Sequence, residues 1–176
     1  QGSSGFVHGF RHNVHALAKI LRTRRSGCAW PSREVSLTPD ELGPLMLRRM
    51  KTAAALFNQP GVFCDAFSID WERHAAIVYE DMPIDYFRDF HEAGASSCYV
   101  LSFESAHEFY AKPASARSSM IRAAENGSIH PVIRRMVSNR CVAQYNMPED
   151  FDFGERLNNE GELSRTMLQW LREDIE

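Results

Sequence analysis

Hydrophobic positions recur at three- and four-residue spacing near the start of the chain, between residues 12 and 24. The apolar residues of this stretch are Val14, Leu17, Ala18 and Leu21. Basic residues gather at its end, where they favour the negative pole of a helix, and Gly27 followed by Pro31 is typical of a helix stop. The pattern predicts an amphipathic helix over 12–24 and a surface connection over 26–37.

A second helix is predicted from Thr38 onward. Thr38 suits the N-cap, Pro39 suits the first turn, and Glu41 stands at the acidic position of a capping box. The apolar pattern continues as far as Asn58, after which a Pro-Gly pair ends it. We therefore expect one continuous helix up to Asn58.

The spacing of apolar residues then changes to a period of two, which is typical of strands. It predicts a hairpin from Val62–Asp70 and Ala75–Glu80, followed by a strand at Ser97–Phe103. Two further strands are predicted between Val132 and Met147, on either side of Ser138-Asn139-Arg140.

Short helices are predicted around these strands. They cover Pro83–Phe90, Ser115–Asn126 and, at the end of the chain, residues 160–173; an acidic link is expected at 149–154. Helices, then strands with short helices, then a helix indicate an α+β fold on an antiparallel or mixed sheet.

Composition excludes several classes of protein. The 176 residues carry 20 Lys and Arg against 23 Asp and Glu, a net charge of −3, which argues against a nucleic-acid partner. No apolar run reaches the roughly 18 residues that span a bilayer, so no membrane partner is expected. The four cysteines form no C-x-x-C pair, and Cys64 and Cys98 lie among apolar residues where burial is expected. A reducing, cytoplasmic compartment is the default expectation.

The segment Gly5–His15 is the densest candidate for chemistry. Its glycines and aromatics predict a turn that leads into the first helix, and backbone N–H groups at a helix N-terminus bind anions or electron-rich oxygens. An ordinary helix entrance is the equally acceptable alternative.

Histidines in the same segment allow a weaker metal hypothesis. His8, His12 and His15 are four and three residues apart, as in a three-histidine zinc site on one helix face. Gly9 and the turn composition are expected to keep His8 outside the helix, and no nearby carboxylate would orient the ligands. We therefore expect no metal site.

Charged clusters elsewhere have plain interpretations. Glu80, Asp81 and Asp85 form either an acid/base pair or, more simply, a solvated turn. The basic cluster on the second helix, Arg48, Arg49 and Lys51, is expected on its solvent face. The sequence contains no G-x-S-x-G elbow, no G-x-x-x-x-G-K-[ST] loop and no G-x-G-x-x-G turn.

Several strings resemble the C-terminal part of a flavoprotein family. They run from Gly5 to Leu17, through Leu47-Arg48-Arg49-Met50 into Ala53–Phe57, from Pro60 to Asp65 and from Tyr79 to Tyr86. The family comprises FAD-dependent pyridine-nucleotide oxidoreductases with a monooxygenase-like layout, similar to the ER flavoprotein associated with degradation and its bacterial relatives. The likeness covers about residues 5–103 and does not extend to 104–176.

The resemblance implies a cofactor role for the first helix entrance. His8, Gly9, Phe10, Arg11 and Asn13 would approach the flavin, and backbone N–H groups there would stabilise negative charge on the reduced ring. FAD would be shared with an upstream part or a partner chain, and NAD(P)H is implied as the reductant. The glycine-rich fingerprints that bind these dinucleotides are absent from the chain.

These inferences suggest a division of the chain. Residues 1–27 would complete an FAD-binding domain, 28–37 would be a linker, and 38–176 would form an α+β cap or dimerisation domain. No Met precedes Met46, so a cleavage product or split subunit with an upstream partner polypeptide, and an oligomer, are expected. A non-catalytic interaction domain and a histidine-based metal protein are the alternatives.

Overall fold

The computed structural model describes residues 7–92, 97–105, 129–147 and 160–175, which contain five helices and six strands. The helices are α1 (Val7–Ser26), α2 (Pro39–Thr52), α3 (Ala54–Asn58), α4 (Ile84–Glu92) and α5 (Glu160–Ile175). The strands are β1 (Ser32–Ser36), β2 (Phe63–Asp70), β3 (Ala75–Pro83), β4 (Ser97–Ser105), β5 (Ile129–Val137) and β6 (Arg140–Asn146).

The six strands form one sheet in the order β1-β3-β2-β4-β5-β6, and every neighbouring pair is antiparallel. The predicted α+β fold is therefore confirmed, with the antiparallel form of the sheet. The two predicted hairpins, β2–β3 and β5–β6, are both present. Ser138 and Asn139 join the second hairpin with φ of 45° and 63°, the left-handed values that a two-residue type I′ turn requires.

Alternation along the strands gives the sheet two different faces. Phe63 and Phe67 of β2 point to one face, which we call the α2 face because it packs against α2, α3 and α5. Cys64 and Ala66 point to the other, which we call the α4 face because Phe87 of α4 packs there. The larger apolar core lies on the α2 face.

The terminal helix α5, predicted over 160–173, closes the α2 face. Trp170 contacts the rings of Tyr99 and Tyr145 at centroid distances of 5.8 and 5.7 Å. Asp174 accepts hydrogen bonds from the Tyr99 hydroxyl and from Arg135 Nε, the latter at 2.8 Å. These contacts tie the end of the described chain to β4 and β5.

The expected surface connection over 26–37 is wrong in one respect. Residues Ser32–Ser36 form an edge strand that pairs with β3, with Ser32 opposite Tyr79 and Ser36 opposite Ala75. Trp30, just before the strand, is only 2% exposed. The strand was missed because its sequence is short and polar, and its pairing with β3 is non-local.

The single helix expected up to Asn58 is also wrong. It is divided at Ala53, whose φ of −76° and ψ of 82° are not helical, into α2 and α3. Pro39 does occupy the first turn, but the Thr38 side chain makes no capping hydrogen bond. Instead, the Thr38 carbonyl accepts from the N–H of Leu42 at 2.9 Å.

The predicted helix at 115–126 and the acidic link at 149–154 lie outside the described residues. The short helix predicted at Pro83–Phe90 is confirmed as α4, and the strand predicted at Ser97–Phe103 is confirmed as β4. Across the described ranges, no helix combines the length and apolarity that crossing a bilayer requires.

Candidate functional site

The first helix begins earlier than its sequence predicts. α1 starts at Val7, so residues Val7 to Arg11, expected to form a turn before the helix, are helical. All five residues to which the resemblance gives a flavin role lie in its first two turns: His8, Gly9, Phe10, Arg11 and Asn13. The glycine and aromatic content suggested a turn, but packing of the helix against the rest of the chain overrides this local preference.

Gly9 is buried where α1 meets the end of α3. A Cβ placed on Gly9 would overlap the side-chain amide of Gln59 and lie 3.6 Å from the carbonyl oxygen of Asn58. The missing side chain thus permits close approach within this chain. Its suggested role in approaching a flavin stays a prediction.

The two sides of α1 have opposite characters. On the inner side, Ala16 is 5% exposed and the His12 ring lies edge-on to Phe63 at 6.5 Å between centroids. On the other side lies a row of exposed apolar residues that we call the outer stripe. It consists of Phe10 (60% exposed), Val14 (57%), Leu17 (55%) and Leu21 (41%).

The outer stripe has the spacing of a helix packing face, because its residues are four, three and four positions apart. The same helix is strongly basic: it has five cations and no Asp or Glu. These cations are Arg11, Lys19, Arg22, Arg24 and Arg25. Exposed apolar residues on one helix face mark a binding surface more often than scattered ones do.

The three spaced histidines lie in a different structural context from the expected one. Because α1 starts at Val7, His8 lies inside the helix rather than before it, which corrects the sequence-based expectation. The three histidines therefore share one side of the helix backbone. Within the part of the chain that the structure describes, no three His, Cys, Asp or Glu side chains converge in a way that would hold a metal ion.

Arg49 is not on the solvent face of α2, as the sequence analysis expected. Its side chain is only 11% exposed and forms a paired hydrogen bond with Asp65, from Nε at 2.6 Å and from Nη2 at 3.0 Å. Nη2 also contacts Asp81 Oδ1 at 2.7 Å, and Nη1 lies 3.4 Å from Glu80. Arg49 therefore joins α2 to β2 and β3.

Glu80 and Asp81 are not in a solvated turn either. They lie within β3 where its register with β2 shifts, between Cys64 and Ala66. Asp81 has a φ of 53°, and its N–H donates to Asp65 Oδ1 at 2.8 Å. Asp85, by contrast, is exposed in the first turn of α4 and pairs with Arg88 at 3.4 Å.

The electrostatics of this network follow from burial. Burial raises the pKa of Asp65, although Arg49 and the Asp81 N–H oppose the shift. Desolvation also disfavours the charged form of Arg49, yet the surrounding carboxylates raise its pKa overall. The arrangement joins a helix to a strand bulge.

Sequence reasoning missed Asp65. The signal was present, because Asp65 is a carboxylate within the apolar run Phe63-Cys64-Asp65-Ala66-Phe67. A buried carboxylate requires a charged or hydrogen-bonding partner. That partner, Arg49, is 16 residues away, and only the fold brings the two together.

Two relatives are similar to this chain in sequence. One is the mouse (Mus musculus) FAD-dependent oxidoreductase domain-containing protein 2, 31% identical over 84 residues, which is 48% of this chain and 12% of the relative. The other is the zebrafish (Danio rerio) protein of the same name, 26% identical over 138 residues, which is 74% of this chain and 20% of the relative. No family model matches the chain, and no solved structure matches it.

The similarity supports the expected relation to FAD-dependent oxidoreductases at a broad level. The closer kinship with the ER flavoprotein associated with degradation stays a prediction. The chain aligns with only a fifth or less of the length of the two relatives.

Proposed function

We propose that this chain is a C-terminal segment or subunit of an FAD-dependent oxidoreductase. In this proposal α1 packs against a nucleotide-binding part supplied by upstream sequence or by a second polypeptide. The α+β body, whose sheet begins with β1, provides association. The names of the two relatives support the link to FAD-dependent oxidoreductases, and the chain aligns with only a small share of each.

The outer stripe of α1 is the observation that carries the proposal. Four apolar side chains between 41% and 60% exposed share one helix face, while Ala16 on the inner side is buried. A helix with apolar residues on two sides is typical of a segment packed between two bodies. The second body would be the nucleotide-binding part.

Charge argues for an acidic partner surface. Two copies of α1 packed stripe to stripe would bring ten like charges together, because each helix has five cations and no carboxylate. A partner with carboxylates around an apolar groove would remove that repulsion. This favours a different polypeptide over self-pairing through α1.

The flavin would lie near the N-terminal end of α1. Phe10 and Arg11 are exposed there, and the first N–H groups of the helix have no partner within the helix. Such N–H groups and the positive helix pole stabilise negative charge. When bound, FAD supplies the electron transfer, with NAD(P)H as the proposed reductant. Arg11 would add a second positive charge beside the ring.

Reconstitution with FAD and the upstream flavoprotein segment tests the proposal. The absorption bands of bound flavin should appear on mixing the two polypeptides, and Leu17→Asp should abolish complex formation by placing a charge in the apolar interface. Arg73→Ala, an exposed change between β2 and β3 that removes a pair with Glu34, is the matched control. A Leu17→Asp chain that binds as well as the unmodified chain would contradict the docking role.

Arg11→Ala separates flavin contact from docking. It should leave complex formation nearly intact and lower the flavin reduction potential, because a positive charge near the reduced ring is lost. Gly9→Val is a poor test of flavin approach, since the added side chain would disturb Gln59 within this chain. An unchanged potential in Arg11→Ala would place the flavin elsewhere.

A further inference from the structure

A cavity of about 630 Å³ opens on the α4 face, between α4 and strands β4 and β5. Its volume lies within the roughly 300–1,000 Å³ that is typical of small-molecule sites. Apolar side chains from both sides line it: Phe87 from α4, Val100 from β4 and Met136 from β5. The cavity is therefore large enough to hold an apolar molecule of one or two rings.

Polar side chains gather at one part of this cavity. Arg134 Nη1 donates to Ser102 Oγ at 3.0 Å, and Nη2 bonds with Glu104 Oε1. Ser102 is 3% exposed and Glu104 is 8% exposed. On the α2 face, the same stretch of β4 carries the buried residues Tyr99 and Leu101. The polar cluster is thus confined to the cavity side of the sheet.

His130 adds a second observation. The strand register places it directly opposite Glu104, on the same face. His130 is 8% exposed, and its Nε2 has no hydrogen-bond partner among the residues that the structure describes. Buried polar atoms are almost always paired, so an orphan beside a polar cluster calls for a functional explanation.

The Arg134–Glu104 pair is expected to add little to the free energy of unfolding. Burying two charges costs desolvation that their attraction barely repays. Arg49 joins α2 to two strands, and these contacts offset the cost of its desolvation. Arg134 and Glu104, by contrast, line open space. A guanidinium has five N–H donors, and its bonds to Ser102 and Glu104 use two of them.

We propose that this cavity binds an uncharged small molecule with an apolar body and a carbonyl oxygen that accepts a hydrogen bond from Arg134. Glu104 already balances the charge of Arg134, so a neutral acceptor fits the site better than an anion. Val100, Met136 and Phe87 would pack against the apolar body. The inference is independent of the proposed function, because it involves neither flavin nor an upstream partner.

Methyl NMR on the full chain, with methionine methyls labelled, tests the proposal using three probes of similar size: acetophenone, benzoate and benzylamine. Acetophenone should shift the Met136 methyl signal saturably, and benzoate and benzylamine should bind more weakly. Arg134→Met should weaken acetophenone binding about tenfold or more, because a hydrogen bond to a charged group is lost. Arg33→Met, which breaks an exposed pair with Glu80 outside the cavity, should leave it unchanged.

Val100→Trp provides a second variant, which fills the cavity but keeps the Arg134 guanidinium; Val100 lies opposite Arg134 in the β4–β5 register. It should abolish the acetophenone shift while the thermal unfolding transition stays cooperative. Equal acetophenone binding in Arg134→Met and Arg33→Met would overturn the proposal, as would a saturable shift that survives in Val100→Trp. Tighter binding of benzoate than of acetophenone would overturn the assignment of a neutral ligand.

Discussion

Each face of the sheet has a partly buried arginine in an ion pair, and the two arginines, Arg49 and Arg134, differ in what surrounds them. Arg49 lies between α2 and the strands, with three carboxylates around an 11% exposed side chain. Arg134 is 22% exposed and bonds to one carboxylate and one hydroxyl beside a cavity. The same residue type thus links packed layers on the α2 face and remains near open space on the α4 face.

Arg49→Met should have the largest effect on this comparison. It would leave Asp65, which is fully buried, without its positive partner, and such a change costs about 3–5 kcal/mol of unfolding free energy. Urea unfolding followed by circular dichroism measures it. The double variant with Asp65→Leu should recover part of the loss; a single variant within about 1 kcal/mol of the unmodified chain would contradict the linking role.

Arg134→Met should cost less, about 1–3 kcal/mol, because Glu104 loses a hydrogen-bond partner beside a cavity that water can enter. The same urea measurement compares the two variants directly. A loss equal to that of Arg49→Met would mean that the two faces are equally closed to solvent.

His130 gives the α4 face a pH dependence. Burial lowers its pKa, so below about pH 6.5 the unfolded chain binds a proton that the folded chain resists. This residue's contribution to stability is therefore present at neutral pH and is lost as the pH falls. His130→Gln should show a smaller stability difference between about pH 7.5 and about pH 5.5 than the unmodified chain. An identical difference would show that other groups dominate.

Leu17→Asp should have the smallest effect on the isolated chain. The side chain is 55% exposed, so the unfolding free energy should change by no more than about 0.5 kcal/mol. Ala16→Asp, one position away on the buried side of α1, should cost about 1–3 kcal/mol and serves as the matched control. Similar losses in both variants would show that the outer stripe is covered within this chain.

Local patterns predicted much of the sheet. The two hairpins, α4 and α5 follow from periodicity and turn residues close in sequence, such as Ser138 and Asn139. β1 was missed because it is a polar edge strand whose paired residues are 39 to 47 positions away. The break at Ala53 has no sequence signal such as Gly or Pro at that position.

The candidate site was less predictable. The residues at the start of α1 were identified by resemblance, but the close packing of Gly9 against Gln59 is a tertiary contact that the local sequence does not encode. Arg49 and Asp65 looked unrelated until the fold placed α2 over β2. The Arg134–Glu104 pair likewise depends on the β4–β5 register rather than on any motif.

The reactivity of the four cysteines can report the rate at which the α4 face opens. Cys98 and Cys64 are fully buried there, and burial raises the pKa of Cys98 to about 12, so neither thiol reacts readily while the sheet face is covered. Cys141 is exposed on β6 and would react at once. In the double variant Cys28→Ser, Cys141→Ser, the rate of thiol labelling at Cys64 and Cys98 would therefore report how often α4 separates from the strands. A molecule bound in the cavity beneath α4 would slow that rate.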